Sequence, residues 1–177
     1  CSPFYHPMAQ GVALEGMKLV HDNLPQACAD GSDIVARSNM LAASIMGATA
    51  FQKGLGGVHA LSHPIGAVFD THHGLANAIM LPYVLVRNQA AIEQRLSDAA
   101  RYIGLQDASF KGFLDWILRL RADLNIPHSL AEIGIDESRA EEIGAAAKQD
   151  PSDGGNPVNL MPADYTAIFI AAVKGVV

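Results

Sequence analysis

The chain has few of the residues that build β-sheets, disulfide frameworks or nucleic-acid interfaces. Of its 177 residues, 6% are aromatic, 17% are charged and two are cysteine. Two cysteines cannot form a disulfide framework, and Cys28, which lies among small apolar residues, is expected to be a buried thiol rather than a nucleophile. A net charge of −6 argues against a nucleic-acid partner, which would favour a basic face.

The chain also has no segment that reads as a targeting sequence. It opens with CSPFYHPM, which has neither a basic start nor an apolar run, and so it does not resemble a signal peptide. Residues 54–69 have no charged side chain apart from histidine but contain Gly and Pro, so no stretch is expected to span a membrane. A cytoplasmic location is the expectation. Because the chain starts with Cys1 rather than Met, we interpret it as part of something longer on its N-terminal side.

What the chain does have is helical periodicity nearly throughout. Half of the residues are hydrophobic, and apolar residues recur at helical spacing with no sustained alternation of period two. The pattern predicts one all-α domain over residues 1–177, with about eight helices, more than a simple four-helix bundle has. The expected helical segments are 7–23, a short piece at 24–29, 33–53, 55–69, 73–86, 91–103, 108–124, 136–148 and 162–174.

Local signals refine these helices. Ser32 is expected to be the N-cap of the third segment. Its core-facing stripe is predicted to be Ile34, Leu41, Ile45 and Ala48. Pro64 and Pro82 are expected to kink or break their helices. The sequence DPSDGGNP at 150–157 is most simply a polar loop, with its glycines supplying a turn.

The strongest functional signal is a group of three histidines in an apolar segment. His59 and His63 are four residues apart, so on a helix they share one face about 6 Å apart along the axis. His73 follows ten residues later. Imidazole is the commonest protein ligand for transition metals and titrates near neutral pH. These residues are therefore candidates for two or three ligands of a metal site, or for a catalytic site.

The surrounding residues narrow this interpretation. Adjacent helical residues point about 100° apart, so His72 and His73 do not both serve one ion, and His73 is favoured because it follows His59 by close to four helical turns. Asp70 is the only carboxylate between residues 34 and 92, so a missing ligand is expected elsewhere. The run Gly54-Leu55-Gly56-Gly57 does not complete a G-x-G-x-x-G frame, which would need glycine at residue 59. The remaining histidines, which are His6, His21 and His128, are expected at the surface.

The arrangement of this segment resembles the signature of iron-containing (group III) alcohol dehydrogenases. The resemblance rests on His59-x3-His63-Pro-x-Gly, then His73-Gly-x-x-Asn-Ala and the Leu-Pro pair that follows. It continues upstream through PFYHPMAQGVALEGM and downstream through DPSDGGNP and the last helix, so it covers essentially all 177 residues. Maleylacetate reductases and glycerol dehydrogenases are relatives that differ around the third histidine, and a relative of this kind is the alternative within the same resemblance.

The resemblance implies an all-α C-terminal domain of the dehydroquinate synthase-like type, which in the family follows an N-terminal dinucleotide-binding domain. It also implies that His59 and His73 are ligands of Fe²⁺ or Zn²⁺ and that His63 is a proton-relay group beside the reacting centre. NAD(P) would exchange hydride with a small alcohol or aldehyde. The family's other two ligands form an Asp-x3-His pair, and no Asp of this chain is followed by His at that spacing.

Two hypotheses follow from the resemblance to the family and from the missing Asp-x3-His pair. In the first, the intact protein is a metal-dependent NAD(P) alcohol dehydrogenase or aldehyde reductase, with the nucleotide-binding domain absent from this chain. In the second, the chain as it stands is a catalytically silent helical fragment or interaction module. Helix faces near residues 54–86 would be bared without a partner domain, and self-association or a homo-oligomer is expected from them.

Overall fold

The fold is entirely helical, as the sequence predicts. A computed structural model describes all 177 residues and contains no β-strand. Seven α-helices follow one another: α1 (Pro7–Ala29), α2 (Ile34–Ala50), α3 (Gly57–Phe69), α4 (His73–Ile103), α5 (Phe110–Asp123), α6 (Ala140–Gln149) and α7 (Pro162–Lys174). Four short 3₁₀ turns lie between them: Phe51–Lys53, Ala131–Ile133, Glu137–Arg139 and Pro151–Gly155.

Prolines interrupt fewer helices than their positions suggest. Residues 7–23 and 24–29 form the single helix α1 with Pro25 inside it, and residues 73–103 form the single helix α4 with Pro82 inside it. Pro64 likewise lies within α3 without ending it. An internal proline removes one backbone hydrogen bond, but Pro64 and Pro82 are buried among apolar side chains, and this packing keeps the helices continuous.

Contacts divide the chain into two compact units. The first unit contains residues 1–3, 55–92 and 117–177, and the second contains residues 4–54 and 93–116. Helix α4 begins in the first unit and ends in the second, while α5 begins in the second and ends in the first. Whether residues 1–177 act as one domain stays a prediction.

In the second unit, α1 and α2 pack through small residues rather than large ones. Ala36 and Ala43 of α2 are buried, and so is Gly16 of α1. A Cβ built on Gly16 would lie 3.3 Å from the Cβ of Met46, so the two helices approach closely. The N-cap of α2 is Asp33, which accepts a hydrogen bond from the backbone N of Ala36 at 2.9 Å; the expectation of Ser32 was wrong by one residue.

This packing overturns the predicted core stripe of α2. Ile34, Leu41 and Ile45 are 68%, 69% and 68% exposed, and Ala48 is exposed as well. The fully buried positions of α2 are the alanines Ala36 and Ala43, and their small side chains allow the close approach to Gly16 of α1. Cys28 is also exposed, so the expectation of a buried thiol is wrong.

The exposed apolar residues lie elsewhere than the sequence suggested. Between residues 54 and 86 the one large hydrophobic side chain that is exposed is Val86, whereas the second unit exposes a larger set. That set is Phe4, Tyr5, Met8, Ile34, Val35, Leu41, Ile45, Phe51 and Tyr102. The 20-residue segment Ile34–Lys53 meets the length and composition of a membrane span, contrary to expectation, although helices packed inside proteins meet them too.

The first unit has the large apolar core, and α3 lies against it. Its fully buried members include Leu61, Ile65, Ile79, Met80, Leu130, Ile143, Leu160, Tyr165 and Phe169. Helices α6 and α7 cross closely at Gly144, where a Cβ would overlap the side chain of Thr166 and the carbonyl oxygen of Pro162. Asp164 caps α7 by accepting from the backbone N of Met161 at 2.8 Å, and Arg87 donates to its other oxygen at 2.7 Å. Because Leu61 and Ile65 of α3 are buried in this core, they fix the face of α3 that packs inward and thereby the direction of its histidine face.

Candidate metal and proton-transfer site

The structure brings the three predicted histidines together. His59 and His63 lie one turn apart on α3, and His73 is the first residue of α4. Asp70 ends α3 in the left-handed conformation, with φ of 51°, and so turns the chain back toward the histidine face. The ring centroids are 5.8 Å apart for His59 and His63, 5.3 Å for His59 and His73, and 5.4 Å for His63 and His73.

These distances suit rings that share a metal ion. A metal–nitrogen distance near 2 Å places an imidazole centroid about 3 Å from the ion, so two ligands at a tetrahedral angle have centroids about 5 Å apart. The pair of His59 and His73, at 5.3 Å, fits this spacing best. No group of three or more His, Cys, Asp or Glu side chains in the chain is arranged to hold an ion by itself. The donors present therefore fit part of a metal site.

His59 has the properties of a metal-binding imidazole. Its side chain is half-buried. Burial lowers the pKa of His59, the positive charges that His73 and His63 would carry lower it further, and the Asp150 carboxylate opposes these effects in part. The net shift is below the ordinary value. A lowered pKa keeps the ring neutral, which is the form that binds metals.

His73 is more exposed and is oriented by the next turn of α4. The side-chain Nδ2 of Asn77 lies 3.0 Å from Nε2 of His73. The Oδ1 of the same amide is buried and has no hydrogen-bond partner. An amide nitrogen only donates, so Nε2 of His73 is the acceptor in this contact, whereas rotation of the amide by 180° would place Oδ1 against Nε2 and make that nitrogen the donor. Neighbouring His72 instead accepts from the backbone N of Leu75 at 3.4 Å, which places it at the start of α4 and outside the cluster.

His63 has a partner that the sequence did not reveal. Its Nδ1 lies 2.8 Å from Oδ2 of Asp150, which is 87 residues away in the chain. The Asp150 side chain is 13% exposed and that of His63 is 44% exposed. Partial burial raises the pKa of Asp150, but hydrogen bonds from the Ser152 backbone and from His63 outweigh this effect and leave the pKa below its ordinary value. Asp150 therefore faces His63 as a carboxylate at neutral pH.

The loop that contains Asp150 is fixed at several points. Oδ1 of Asp150 accepts from the backbone N of Ser152 at 2.8 Å and caps the 3₁₀ turn Pro151–Gly155. Asp153 accepts from the Tyr165 hydroxyl at 2.7 Å and from Nζ of Lys148 at 2.9 Å. A Cβ on Gly155 would overlap the carbonyl oxygen of Leu55, so the loop lies directly against the segment that leads into α3.

Asn156 joins this loop to both histidine-bearing helices. Its Oδ1 accepts from the backbone N of Gly57, the first residue of α3, at 3.1 Å. The same oxygen accepts from Nδ2 of Asn88 in α4 at 2.8 Å, and Nδ2 of Asn156 donates back to Oδ1 of Asn88 at 3.0 Å. Sequence reasoning treated this segment as a simple turn. The one available signal was an Asp-x-Ser cap followed by an asparagine among glycines, and it says nothing about which helix the loop contacts.

Comparison with known proteins identifies the family of the chain. Residues 1–173 match the model for the Fe-containing alcohol dehydrogenase family, C-terminal. The chain is 35% identical to 4-hydroxybutyrate dehydrogenase of Cupriavidus necator over 173 residues, covering 93% of this chain and 45% of that protein. It is 34% identical to 1,3-propanediol dehydrogenase of Citrobacter freundii over 172 residues, covering 93% of this chain and 44% of that protein.

A solved structure shows the same arrangement of helices. The crystal structure of 1,3-propanediol oxidoreductase superposes with a TM-score of 0.93 and 32% identity, over 97% of this chain and 47% of that one. The all-α fold is thus that of the C-terminal domain in a family of oxidoreductases. The chain belongs to the iron-containing alcohol dehydrogenase family and spans a little under half the length of the relatives it matches.

Proposed function

We propose that this chain forms the metal-binding half of the active site of an NAD(P)-dependent alcohol dehydrogenase or aldehyde reductase. The observation that supports this most directly is the cluster of three imidazoles, with centroids 5.3 to 5.8 Å apart, at the family's signature positions. The similarity to 4-hydroxybutyrate and 1,3-propanediol dehydrogenases favours small primary alcohols or their aldehydes as substrates.

In this proposal His59 and His73 are the metal ligands that the chain contributes. Their ring spacing suits one ion, and the lowered pKa of His59 keeps that ring neutral for binding. These residues would hold Fe²⁺ or Zn²⁺ together with further ligands, and the ion would supply Lewis-acid polarisation of the substrate oxygen. Two imidazoles seldom hold an ion firmly, because metal sites of this kind use three or four protein ligands. The remaining ligands and the nucleotide site belong, in the proposal, to the part of the relatives that this chain does not match.

His63 is proposed to move the proton. It lies beside the two ligand rings but its Nδ1 is bonded to Asp150, which leaves Nε2 for a proton from the alcohol oxygen or for delivery to the aldehyde oxygen. The exposed side of the His63 ring gives the proton a route to solvent. His63 is thus a catalytic residue, while hydride exchange belongs to the nicotinamide cofactor.

The test is metal content and turnover of the intact enzyme that contains this chain. His73→Ala should abolish turnover and lower bound iron or zinc at least about tenfold, because it removes one ligand. His72→Asn is the matched control: it alters the adjacent histidine, which caps α4, and asparagine is itself a good capping residue. Unchanged metal content in the His73 variant would refute the ligand assignment. The proposed activity would be refuted if the intact enzyme oxidised neither 1,3-propanediol nor 4-hydroxybutyrate nor any other small alcohol with NAD or NADP.

The alternative function, a catalytically silent helical module, concerns the isolated chain. The specific observation in its favour is that no three metal-binding side chains of the chain are arranged to hold an ion. We expect the 177-residue chain to bind no NADH in a calorimetric titration and to bind zinc weakly. Micromolar NADH binding would refute this expectation.

A further inference from the structure

We infer that Asp150 is the positioning residue for His63: it holds the ring with the proton on Nδ1 and thereby makes Nε2 the nitrogen that takes up and returns the substrate proton. The inference rests on the proposed function for its catalytic meaning. The contact between Asp150 and His63 does not depend on that function, and it is tested separately by the position of the proton on the His63 ring.

The Asp150 carboxylate has a fixed position, and each of its two oxygens has its own hydrogen-bond partner. Oδ1 accepts from the Ser152 backbone at 2.8 Å and Oδ2 faces Nδ1 of His63 at 2.8 Å. A carboxylate only accepts hydrogen bonds, so Nδ1 of His63 must be the donor in this contact. A neutral imidazole with the proton on Nδ1 has its lone pair on Nε2.

The loop that contains Asp150 has little freedom to turn away from His63. Asp153 is bonded to Tyr165 and Lys148, and Asn156 is bonded to Gly57 and Asn88. Asp150 therefore lies in a segment attached to α3, α4, α6 and α7. The ring of His63 is 44% exposed and lies against the rings of His59 and His73, so the hydrogen bond with Asp150 is the contact that orients its nitrogens.

The decisive variant is Asp150→Asn, because it reverses the polarity of one contact while keeping size and capping ability. Asparagine caps as well as aspartate does, and its Oδ1 would keep the bond from Ser152. Its Nδ2 would then donate to Nδ1 of His63, and that forces the ring proton onto Nε2. The matched control is Asp136→Asn: Asp136 caps the 3₁₀ turn Glu137–Arg139 by accepting from the backbone N of Ser138 at 2.9 Å, in the same Asp-x-Ser pattern, without a histidine partner.

The first readout is nitrogen NMR of the ¹⁵N-histidine-labelled 177-residue chain, at a pH where the imidazoles are neutral. The His63 signals are assigned with a His63→Gln variant. We expect the proton on Nδ1 in the wild type and in Asp136→Asn, and on Nε2 in Asp150→Asn. A wild-type proton on Nε2, or no change in Asp150→Asn, would overturn the inference.

The second readout is steady-state kinetics of the metal-loaded intact enzyme. Asp150→Asn should lower kcat about 10- to 100-fold with unchanged KM and metal content, because the basic nitrogen faces the wrong way. The same substitution in a His63→Ala background should have no further effect, which a general structural role would not produce. Additive losses would overturn the positioning role. Absence of alcohol oxidation in the wild type would refute the proposed function and leave the NMR result on the pair standing.

Discussion

Removal of the Asn156 side chain should destabilise the protein far more than its place in a loop suggests. Asn156 is buried and makes four hydrogen bonds: two accepted by Oδ1 from Gly57 and Asn88, and two donated by Nδ2 to Asn88 and to the carbonyl oxygen of Val158 at 2.8 Å. The backbone N–H of Gly57 is in the first turn of α3 and has no partner within the helix. Asn156→Ala would leave the backbone N–H of Gly57, the side-chain amide of Asn88 and the carbonyl oxygen of Val158 without these hydrogen bonds.

The magnitude follows from the number of bonds lost. At a net contribution of about 1 kcal/mol per hydrogen bond, Asn156→Ala should lower the free energy of unfolding by about 4 kcal/mol. Water that enters the vacated space recovers a part, while groups that stay dry and unpaired cost more than this average. The loss is a large fraction of the roughly 5–15 kcal/mol by which domains are stable.

The assay is urea denaturation followed by far-ultraviolet circular dichroism, with Asn159→Ala as the matched control. Asn159 lies three residues further along the same loop and is exposed, and its Oδ1 accepts one bond from Nζ of Lys148 at 3.1 Å. We expect the control to change stability by no more than about 0.5 kcal/mol. If Asn156→Ala also costs less than about 1 kcal/mol, the loop does not anchor α3 in the way described.

Two further predictions concern the caps and the helix seam. Asp164 has a pKa below its ordinary value, first because the Met161 backbone donates to it and second because Arg87 does; its stabilisation is therefore fully present above about pH 4 and is lost as the pH falls through the lower folded pKa. At pH 7 the free energy of unfolding of the wild type should exceed that of Asp164→Asn by about 0.2–1 kcal/mol. In urea titrations between pH 2 and 7 this difference should vanish at the acid end. A difference that stays constant with pH would contradict the prediction. Ala43→Leu should cost about 1–3 kcal/mol by overpacking the seam between α1 and α2, whereas Leu41→Ser at an exposed position should cost under about 0.5 kcal/mol. The fluorescence of Trp116, which lies in the same unit, follows the unfolding of both variants. A larger loss of stability for Leu41→Ser than for Ala43→Leu would refute the proposed packing of α1 against α2.

The helices of this fold could be predicted from sequence because helical periodicity is a local property. What periodicity does not reveal is which face of a helix meets a neighbour. Helix α2 has a face of large apolar residues, such as Leu41, and a face of small ones, such as Ala43. Burial of the larger residues is favoured by transfer energy alone, but close approach to α1 is possible only through the small face.

In the candidate site, too, the residues that depend on local patterns could be predicted from the sequence, and the residue that depends on a distant contact could not. The pair His59 and His63 follows from the four-residue spacing on one helix, and His73 follows from the resemblance to the family. Asp150 comes from a loop 87 residues beyond His63, and no pattern within either segment indicates that contact. Its role depends on tertiary packing that brings the end of α6 against α3.

One loop therefore supports two different parts of the candidate site. Asn156 binds the first residue of α3 and so fixes the position of His59 near the start of that helix. Asp150 fixes the ring of His63 one turn further on. Both depend on Gly155, because any side chain there would overlap the Leu55 carbonyl and push the loop away from α3. The orientation of the histidines is consequently set less by the helix that carries them than by the packing of α6 and α7, which holds the loop in place. Substitutions in that helix pair should for this reason change both proton transfer and metal binding.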